Sequence, residues 1–121
     1  SISPLFEELK PNSCKISIKK KRSVLNHIGT VHAIAMCNMA ELAGGTMTEV
    51  TVPATHRWIP KGMTVEYLKK AESDLIAIAT PVEKNYDWEK AGEYLVNVDI
   101  LDKHNQKVFH ATITMWISKK K

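Results

Sequence analysis

Alternating apolar and polar residues predict β-strands over much of the chain. The alternation is clearest in residues 93–101 and again in residues 107–118, where every second side chain is apolar. A period of two is typical of a strand with one buried face. Further strand candidates are residues 14–22, 63–70 and 75–81. The polar residues 102–106 predict a hairpin loop between the last two strands.

A helical period predicts one helix over residues 31–43. Thr30 can cap its start, and Gly44-Gly45 is predicted to stop it. One apolar stripe recurs about once per turn and is predicted to be buried; its members are Val31, Ala35, Met39 and Leu42. A second stripe places an amide and a carboxylate on an otherwise small, apolar face: Ile34, Asn38, Glu41 and Gly45.

The other segments complete the predicted topology. Ser3 before Pro4 predicts a short capped helix that Pro11 ends. Residues 46–62 contain prolines and predict an irregular connection that Trp58 fastens to the core. The order is then strand, helix and four strands. Because the helix carries little charge, it has to be covered on most sides, and the sheet is the element available to do so. This predicts an α+β domain in which an antiparallel curved sheet wraps around one long central helix.

Length and composition fit one soluble domain spanning residues 1–121, with 44% hydrophobic and 25% charged residues. No apolar run reaches the ~18 residues of a membrane helix, and no secretory signal is visible. Two distant cysteines do not make a disulfide framework, so we expect a cytoplasmic protein without a membrane partner. The net charge of +4 is concentrated at residues 15–22 and 119–121. It indicates an anionic partner, either nucleic acid or a phosphorylated cofactor, or else a solvated strand edge and tail.

One segment resembles a known signature. Residues 26–33 read Asn-His-Ile-Gly-Thr-Val-His-Ala, and Glu41 follows nine residues after His32. This is similar to the hotdog-fold thioesterases of the phenylacetate-degradation and 4-hydroxybenzoyl-CoA type. Their signature has an Asn, a Gly before a His-Gly-Gly at the helix start, and an acid about nine residues past the His. Here Asn26, Gly29 and Glu41 match, and Ala33 stands where the family has Gly. The resemblance covers about residues 26–117 and implies the hotdog fold.

The resemblance also implies an activity, the hydrolysis of an acyl-CoA thioester, with coenzyme A as part of the substrate and no separate cofactor. Glu41 would serve as general base or nucleophile, a role that an apolar setting favours. The N–H of Ala33 at the positive end of the helix, together with Asn26, would stabilise the carbonyl oxygen. His32 would donate to the same carbonyl or support the helix start, and Gly29 would lie against the substrate.

Five further residues are predicted to contact the substrate. Asn38 shares the face of Glu41 and would orient its carboxylate. Trp58 and Met63 would line the acyl pocket, since methionine adapts to irregular spaces. Lys69 and Lys70 would meet the phosphates of coenzyme A.

Helix geometry adds a requirement for a second copy. Glu41 lies eight residues after Ala33, which is about 12 Å along a helix at about 1.5 Å per residue. One substrate carbon cannot reach both groups in a single chain. The resembling proteins dimerise so that the helix start of one subunit faces the acid of the other. We therefore expect a homodimer, or a tetramer built as a dimer of dimers.

Alternative interpretations remain open for the site. Glu41 can be an exposed or ion-paired surface residue, Asn26 a turn residue, and His32 a packing residue. Cys37 within the helical pattern is a candidate nucleophile but is more typical of a small buried hydrophobe. The histidines 56, 104 and 110 show no metal-ligand spacing with cysteines or acids, so no metal is predicted.

The chain as a whole also admits other functions. The hotdog fold is compatible with an acyl-CoA-binding module without catalysis. A nucleic-acid binder fits the charge, but a recognition motif is missing and aromatic residues make up only 7%. A hotdog dehydratase would need an Asp and His pairing on the helix that this sequence does not show. We therefore predict no nucleic-acid partner.

Overall fold

The computed structural model describes residues 4–19, 33–71 and 73–121. These residues form one antiparallel sheet in the order β1-β2-β4-β5-β6-β3, together with one helix that packs against it. The elements in chain order are β1 (Pro4–Lys10), β2 (Ser13–Ile18), α1 (Ala33–Thr51), β3 (His56–Tyr67), β4 (Leu75–Pro81), β5 (Gly92–Leu101) and β6 (Lys107–Lys119). The predicted α+β arrangement of a curved antiparallel sheet and a single helix is confirmed.

The core lies between α1 and the inner face of the sheet, to which β2, β4, β5 and β6 all contribute buried side chains. β5 and β6 alternate as predicted, and their buried side chains pair across the ladder, as Val96 does with Ile113 and Val98 with Ala111. The helix contributes Met36, Met39, Ala40, Ala43 and Met47 to the same core. Since each large apolar side chain gains about 1.5–3 kcal/mol on full burial, this interface dominates the stability of the domain.

The first segment is a strand, and the predicted helix over residues 3–10 is wrong in its described part. Lys10 pairs with Ser13, so Pro11 and Asn12 form a two-residue turn between β1 and β2. Asn12 has a φ of 70°. Proline followed by a residue with positive φ is the combination that a type II turn needs. This turn lets β1 pair with β2, and the tertiary pairing overrides the local helix signal of Pro4.

Helix α1 continues to Thr51, and the predicted stop at Gly44-Gly45 is wrong. Gly44 is buried against the sheet, where an added Cβ would lie 2.6 Å from Cδ1 of Ile113. The glycine therefore permits close packing inside the helix and does not end it. Pro53 follows soon after Thr51 and cannot continue the helix. The predicted helix start at residues 30–32 lies outside the described residues.

The buried face of α1 also differs from the predicted stripe. Leu42 is exposed, and the neighbouring Ala43 is buried in its place. The expectation that the helix is covered on most sides is wrong for the single chain, because the sheet covers one face. Ile34 on the other face is 64% exposed, and Leu42 is exposed as well.

The irregular connection predicted for residues 46–62 is also wrong. Its first part belongs to α1, and β3 begins at His56. β3 pairs with β6 and forms an edge of the sheet in the described part of the chain. An edge strand tolerates Pro60, and the register shifts between Pro60 and Gly62, as in a β-bulge.

β3 ends at Tyr67 rather than at residue 70, whereas β4 has the predicted bounds. β2 ends at Ile18, short of the predicted residue 22, although residues 20–22 lie outside the described part.

Candidate functional site

A cavity of about 460 Å³ opens between α1 and the edge strand β3. Glu41 and Gly45 line it from the helix, where residues four apart share a face. The rest of the lining comes from β3 and β6: Trp58, Pro60, Lys61, Gly62, Met63, Ile113 and Met115. The lining is mainly apolar, and Glu41 contributes a carboxylate. An apolar cavity with few polar groups is the usual form of a small-molecule site.

The bulge in β3 shapes one wall of this cavity. Pro60, Lys61 and Gly62 all lie on the wall, at the register shift against β6. The ammonium group of Lys61 lies 5.0 Å from the centre of the Trp116 ring. Trp116 alternates with the buried Met115 along β6, so the ring is on the outer face of the sheet. The bulge therefore directs the lysine charge to the outer face, where a cation–π contact holds it.

Glu41 is exposed in the single chain while it lines the cavity. The apolar setting expected for its carboxylate comes from the cavity on one side, and solvent reaches it on the other. The covered environment that the sequence predicted is therefore not provided by this chain alone.

Trp58 is held in the cavity wall by a second helix carboxylate. Its indole Nε1–H donates to Oε2 of Glu49 at 2.8 Å. The indole also packs close to Gly45, where an added Cβ would lie 3.6 Å from Cη2 of Trp58. Glu49 was not among the residues predicted for the site. Its signal was the four-residue spacing of Glu41, Gly45 and Glu49, which places all three on one face of a helix that continues past the glycines.

The structure brings together part of the predicted site. Of the predicted residues that it describes, Glu41, Trp58 and Met63 line the cavity. Asn38 is exposed on α1 and lies outside this lining. Ala33 is the first residue of α1 and is exposed. Asn26, Gly29 and His32 lie outside the described residues.

The two predicted phosphate contacts lie beyond the end of β3. Lys69 and Lys70 are exposed in the connection to β4, and neither lines the cavity. The backbone N–H of Lys69 donates to the carbonyl of Val108 at 3.3 Å. This bond fixes the backbone of the connection against β6 and leaves the two side chains at the surface.

Cys37 and the described histidines have contacts elsewhere. The thiol of Cys37 lies 3.1 Å from the hydroxyl of Tyr67, and both cysteines are free. The ring of His56 lies 2.6 Å from the carbonyl of Trp88. The ring of His110 lies 2.6 Å from Asp99. Among the residues that the structure describes, no group of three histidine, cysteine or acidic side chains could hold a metal ion. No helix in this part of the chain is long and apolar enough to cross a membrane.

Solved structures show the fold of this chain. A Pseudomonas aeruginosa protein of unknown function, named a probable thioesterase, has a TM-score of 0.86 at 21% identity, over 97% of this chain and 83% of its own. A protein from Streptococcus mutans UA159 bound to acetyl CoA has a TM-score of 0.81 at 17% identity, over 98% of this chain and 91% of its own. The chain therefore has the hotdog fold, as the sequence predicted.

The family follows from the sequence itself. The family model "Domain of unknown function (DUF4442)" matches residues 1–117, and the chain belongs to this family. A structural-genomics protein, APC5556, is 51% identical over 97% of this chain and 78% of its own, with a TM-score of 0.88. A search of the curated proteins finds no match.

Proposed function

We propose that this chain is an acyl-CoA thioesterase. The observation that carries the proposal is a carboxylate, Glu41, at an apolar cavity between the helix and an edge strand. Two facts about similar folds support it, since one neighbour is named a probable thioesterase and another is bound to acetyl CoA. The placement of this chain in the phenylacetate-degradation or 4-hydroxybenzoyl-CoA branch stays a prediction from the sequence. The same holds for a cytoplasmic location.

The chemistry assigns each part of the site a task. The apolar walls take the acyl group, and Glu41 activates a water or attacks the carbonyl carbon itself. When water adds to that carbon, Glu41 takes the proton of the water, the C–S bond breaks, and the leaving thiolate takes up a proton. When Glu41 attacks directly, it displaces the thiolate and forms an anhydride that water then hydrolyses. The products in both cases are a carboxylic acid and a thiol. The N–H of Ala33 and the amide of Asn26 stabilise the developing oxyanion, where one donor is typically worth about 10²–10³ in rate. His32 and Gly29 support this end of the site, and Asn38 orients the acid.

A second copy of the chain completes the proposed site. Ala33 and Glu41 are both on α1, separated by about 12 Å along its axis, so they serve one thioester only across two subunits. The uncovered face of α1 carries exposed apolar side chains, Ile34 and Leu42. Burying them against a partner would stabilise a homodimer, and two such dimers would form a tetramer. Lys69 and Lys70 remain the proposed contacts for the phosphates of coenzyme A.

The first test measures thiol release from a panel of short, long and aromatic acyl-CoAs. We expect Glu41→Gln to lower kcat by about 10² or more, because the amide cannot act as a base or nucleophile. Glu93→Gln removes an exposed carboxylate from β5, away from the cavity lining, and should retain wild-type turnover. Unchanged turnover in Glu41→Gln would contradict the proposed chemistry. Binding of acyl-CoA without thiol release by the wild type would identify a binding module instead.

A mixing experiment tests the shared site. Glu41→Gln and Asn26→Ala subunits are each expected to be inactive, but their mixed dimer has one site with both native groups. Random exchange should therefore restore about a quarter of wild-type activity, since half of the dimers are mixed and each has one good site. If mixing restores nothing while sedimentation shows that subunits exchange, Asn26 and Glu41 do not act across the interface.

A further inference from the structure

Trp58 separates two cavities. On one side is the cavity that contains Glu41, and on the other is a cavity of about 530 Å³. Trp58 lines both of them, whereas the rest of the second lining comes from other residues: Glu49, Val52, Pro53, Ala54, His56, Arg57 and Lys120. The indole is therefore a partition between two spaces that lie next to each other along the groove of α1 and β3.

Two contacts fix the partition. The indole N–H donates to the carboxylate of Glu49 at 2.8 Å, a charge-assisted bond with a defined direction. The far edge of the ring lies against Gly45, where an added Cβ would be 3.6 Å from Cη2 of Trp58. A half-buried tryptophan without these contacts would have other rotamers open to it.

We propose that Trp58, positioned by Glu49, closes the acyl cavity and sets the longest acyl chain that the site accepts. This inference rests on the proposed function. With the indole in place, an acyl chain that enters past Glu41 ends at the ring. With the indole ring absent or turned, the acyl chain can continue past Val52, Pro53 and Ala54 into the second cavity. The substrates are therefore acyl-CoAs whose acyl chain is short enough to end at the indole. Glu49 is a positioning residue, because it acts on the substrate by holding Trp58 in place.

The test is a profile of kcat/KM over saturated straight-chain acyl-CoAs of increasing length. We expect Trp58→Ala to raise the ratio of long-chain to short-chain kcat/KM by about tenfold or more, since each well-placed methylene is worth about tenfold. Glu49→Leu should move the ratio in the same direction by less, because the ring stays but loses its anchor. Glu49→Gln should keep the wild-type profile, because its amide oxygen still accepts the indole N–H. Trp116→Ala is the matched control, since that tryptophan is on the outer face of the sheet.

The outcomes separate this inference from the proposed function. If Trp58→Ala lowers kcat/KM equally at every chain length, the tryptophan is a packing residue and the inference is overturned. If Glu49→Leu leaves the profile unchanged, Glu49 has no positioning role. If the wild type hydrolyses no acyl-CoA, the activity fails, and calorimetric affinities for the same series then test the partition alone: a longer preferred chain in Trp58→Ala supports it. An absence of any binding overturns both proposals.

Discussion

At the scale of single residues, two adjacent glycines in α1 have different surroundings. Gly44 faces the core, where an added Cβ would lie 2.6 Å from Cδ1 of Ile113. Gly45 faces the cavity, where the added atom would be 3.6 Å from Trp58, an ordinary contact. At the first glycine an added methyl group would force the Ile113 side chain to shift. At the second glycine it would make an ordinary contact with the indole.

This difference gives a stability prediction. In a helix interior, alanine is favoured over glycine by about 1 kcal/mol, so Gly45→Ala should leave the free energy of unfolding equal or higher. Gly44→Ala gains the same propensity but overpacks the core, which typically costs about 1–3 kcal/mol. We therefore expect Gly44→Ala to be less stable than Gly45→Ala by about 1–3 kcal/mol in urea denaturation. Equal free energies of unfolding for the two variants would mean that the Ile113 side chain moves aside without destabilising the fold.

Residues of the candidate site were predictable from the sequence where a motif or a helix face pointed to them. Glu41 was found from the signature and lines the cavity. Glu49 was missed because the glycine pair was interpreted as a helix stop, although it is a packing device in mid-helix. Glycine has both uses, and the contact that decides between them, with Ile113, comes from a strand distant in sequence.

At the scale of elements, alternation was a sufficient signal for the central strands, and local breakers misled at the edges. β5 and β6 have one buried face each, so their period is visible in the sequence. β3 contains Pro60 and a bulge, features that central strands exclude and edge strands tolerate. β1 is mostly exposed, and its place is set by the turn to β2 and by pairing, which a local helix signal does not report.

The turn between β1 and β2 gives a prediction for that element. Asn12 has a φ of 70°. This backbone conformation typically destabilises a residue with a Cβ by about 1–2 kcal/mol, whereas glycine adopts it without cost and asparagine adopts it more readily than most residues. Asn12→Ala should lower the free energy of unfolding by about 1 kcal/mol, and Asn12→Gly should not. The backbone N–H of residue 12 keeps its bond to Thr51 in both variants.

The control for this turn is Asn85→Ala in the connection between β4 and β5, where the residue is exposed and positive φ is not required. Chemical denaturation should find this control within about 0.5 kcal/mol of wild type. If alanine at positions 12 and 85 has the same effect, the left-handed conformation does not stabilise the hairpin.

At the scale of the whole molecule, one sheet and one helix form a complete core but an incomplete surface. The sequence predicted the wrapped helix, because charge-poor helices have to be covered. The prediction that the sheet of the same chain covers most sides of the helix was wrong. The sheet covers one face of α1 and leaves Ile34 and Leu42 exposed. A sequence pattern indicates that a face is apolar, but it does not distinguish burial within the chain from burial against a second copy.

The three tyrosines give a prediction for the alkaline limit of the fold. The chain has three tyrosines, and the pKa of each is raised. Burial, and then the neighbouring Tyr86, raise the pKa of Tyr94 to about 12. Burial is also the main cause for Tyr86, with Glu83 and Asp87 adding to it. For Tyr67, the hydrogen bond with Cys37 is the largest cause of the raised pKa. The folded protein therefore favours the neutral phenols.

The sign of the pH dependence follows from these shifts. A group whose pKa is higher in the folded state stabilises the fold fully below its unfolded pKa of about 10 and loses that contribution as the pH rises toward about 12. Tyrosinate absorbance should thus rise late and together with the loss of near-UV circular dichroism. Tyr94→Phe removes the most shifted phenol and only a 4.0 Å contact with Met47, so its alkaline unfolding should move to higher pH. Three phenols ionising near pH 10 in a protein with native dichroism would contradict the buried placement of Tyr94 next to Tyr86.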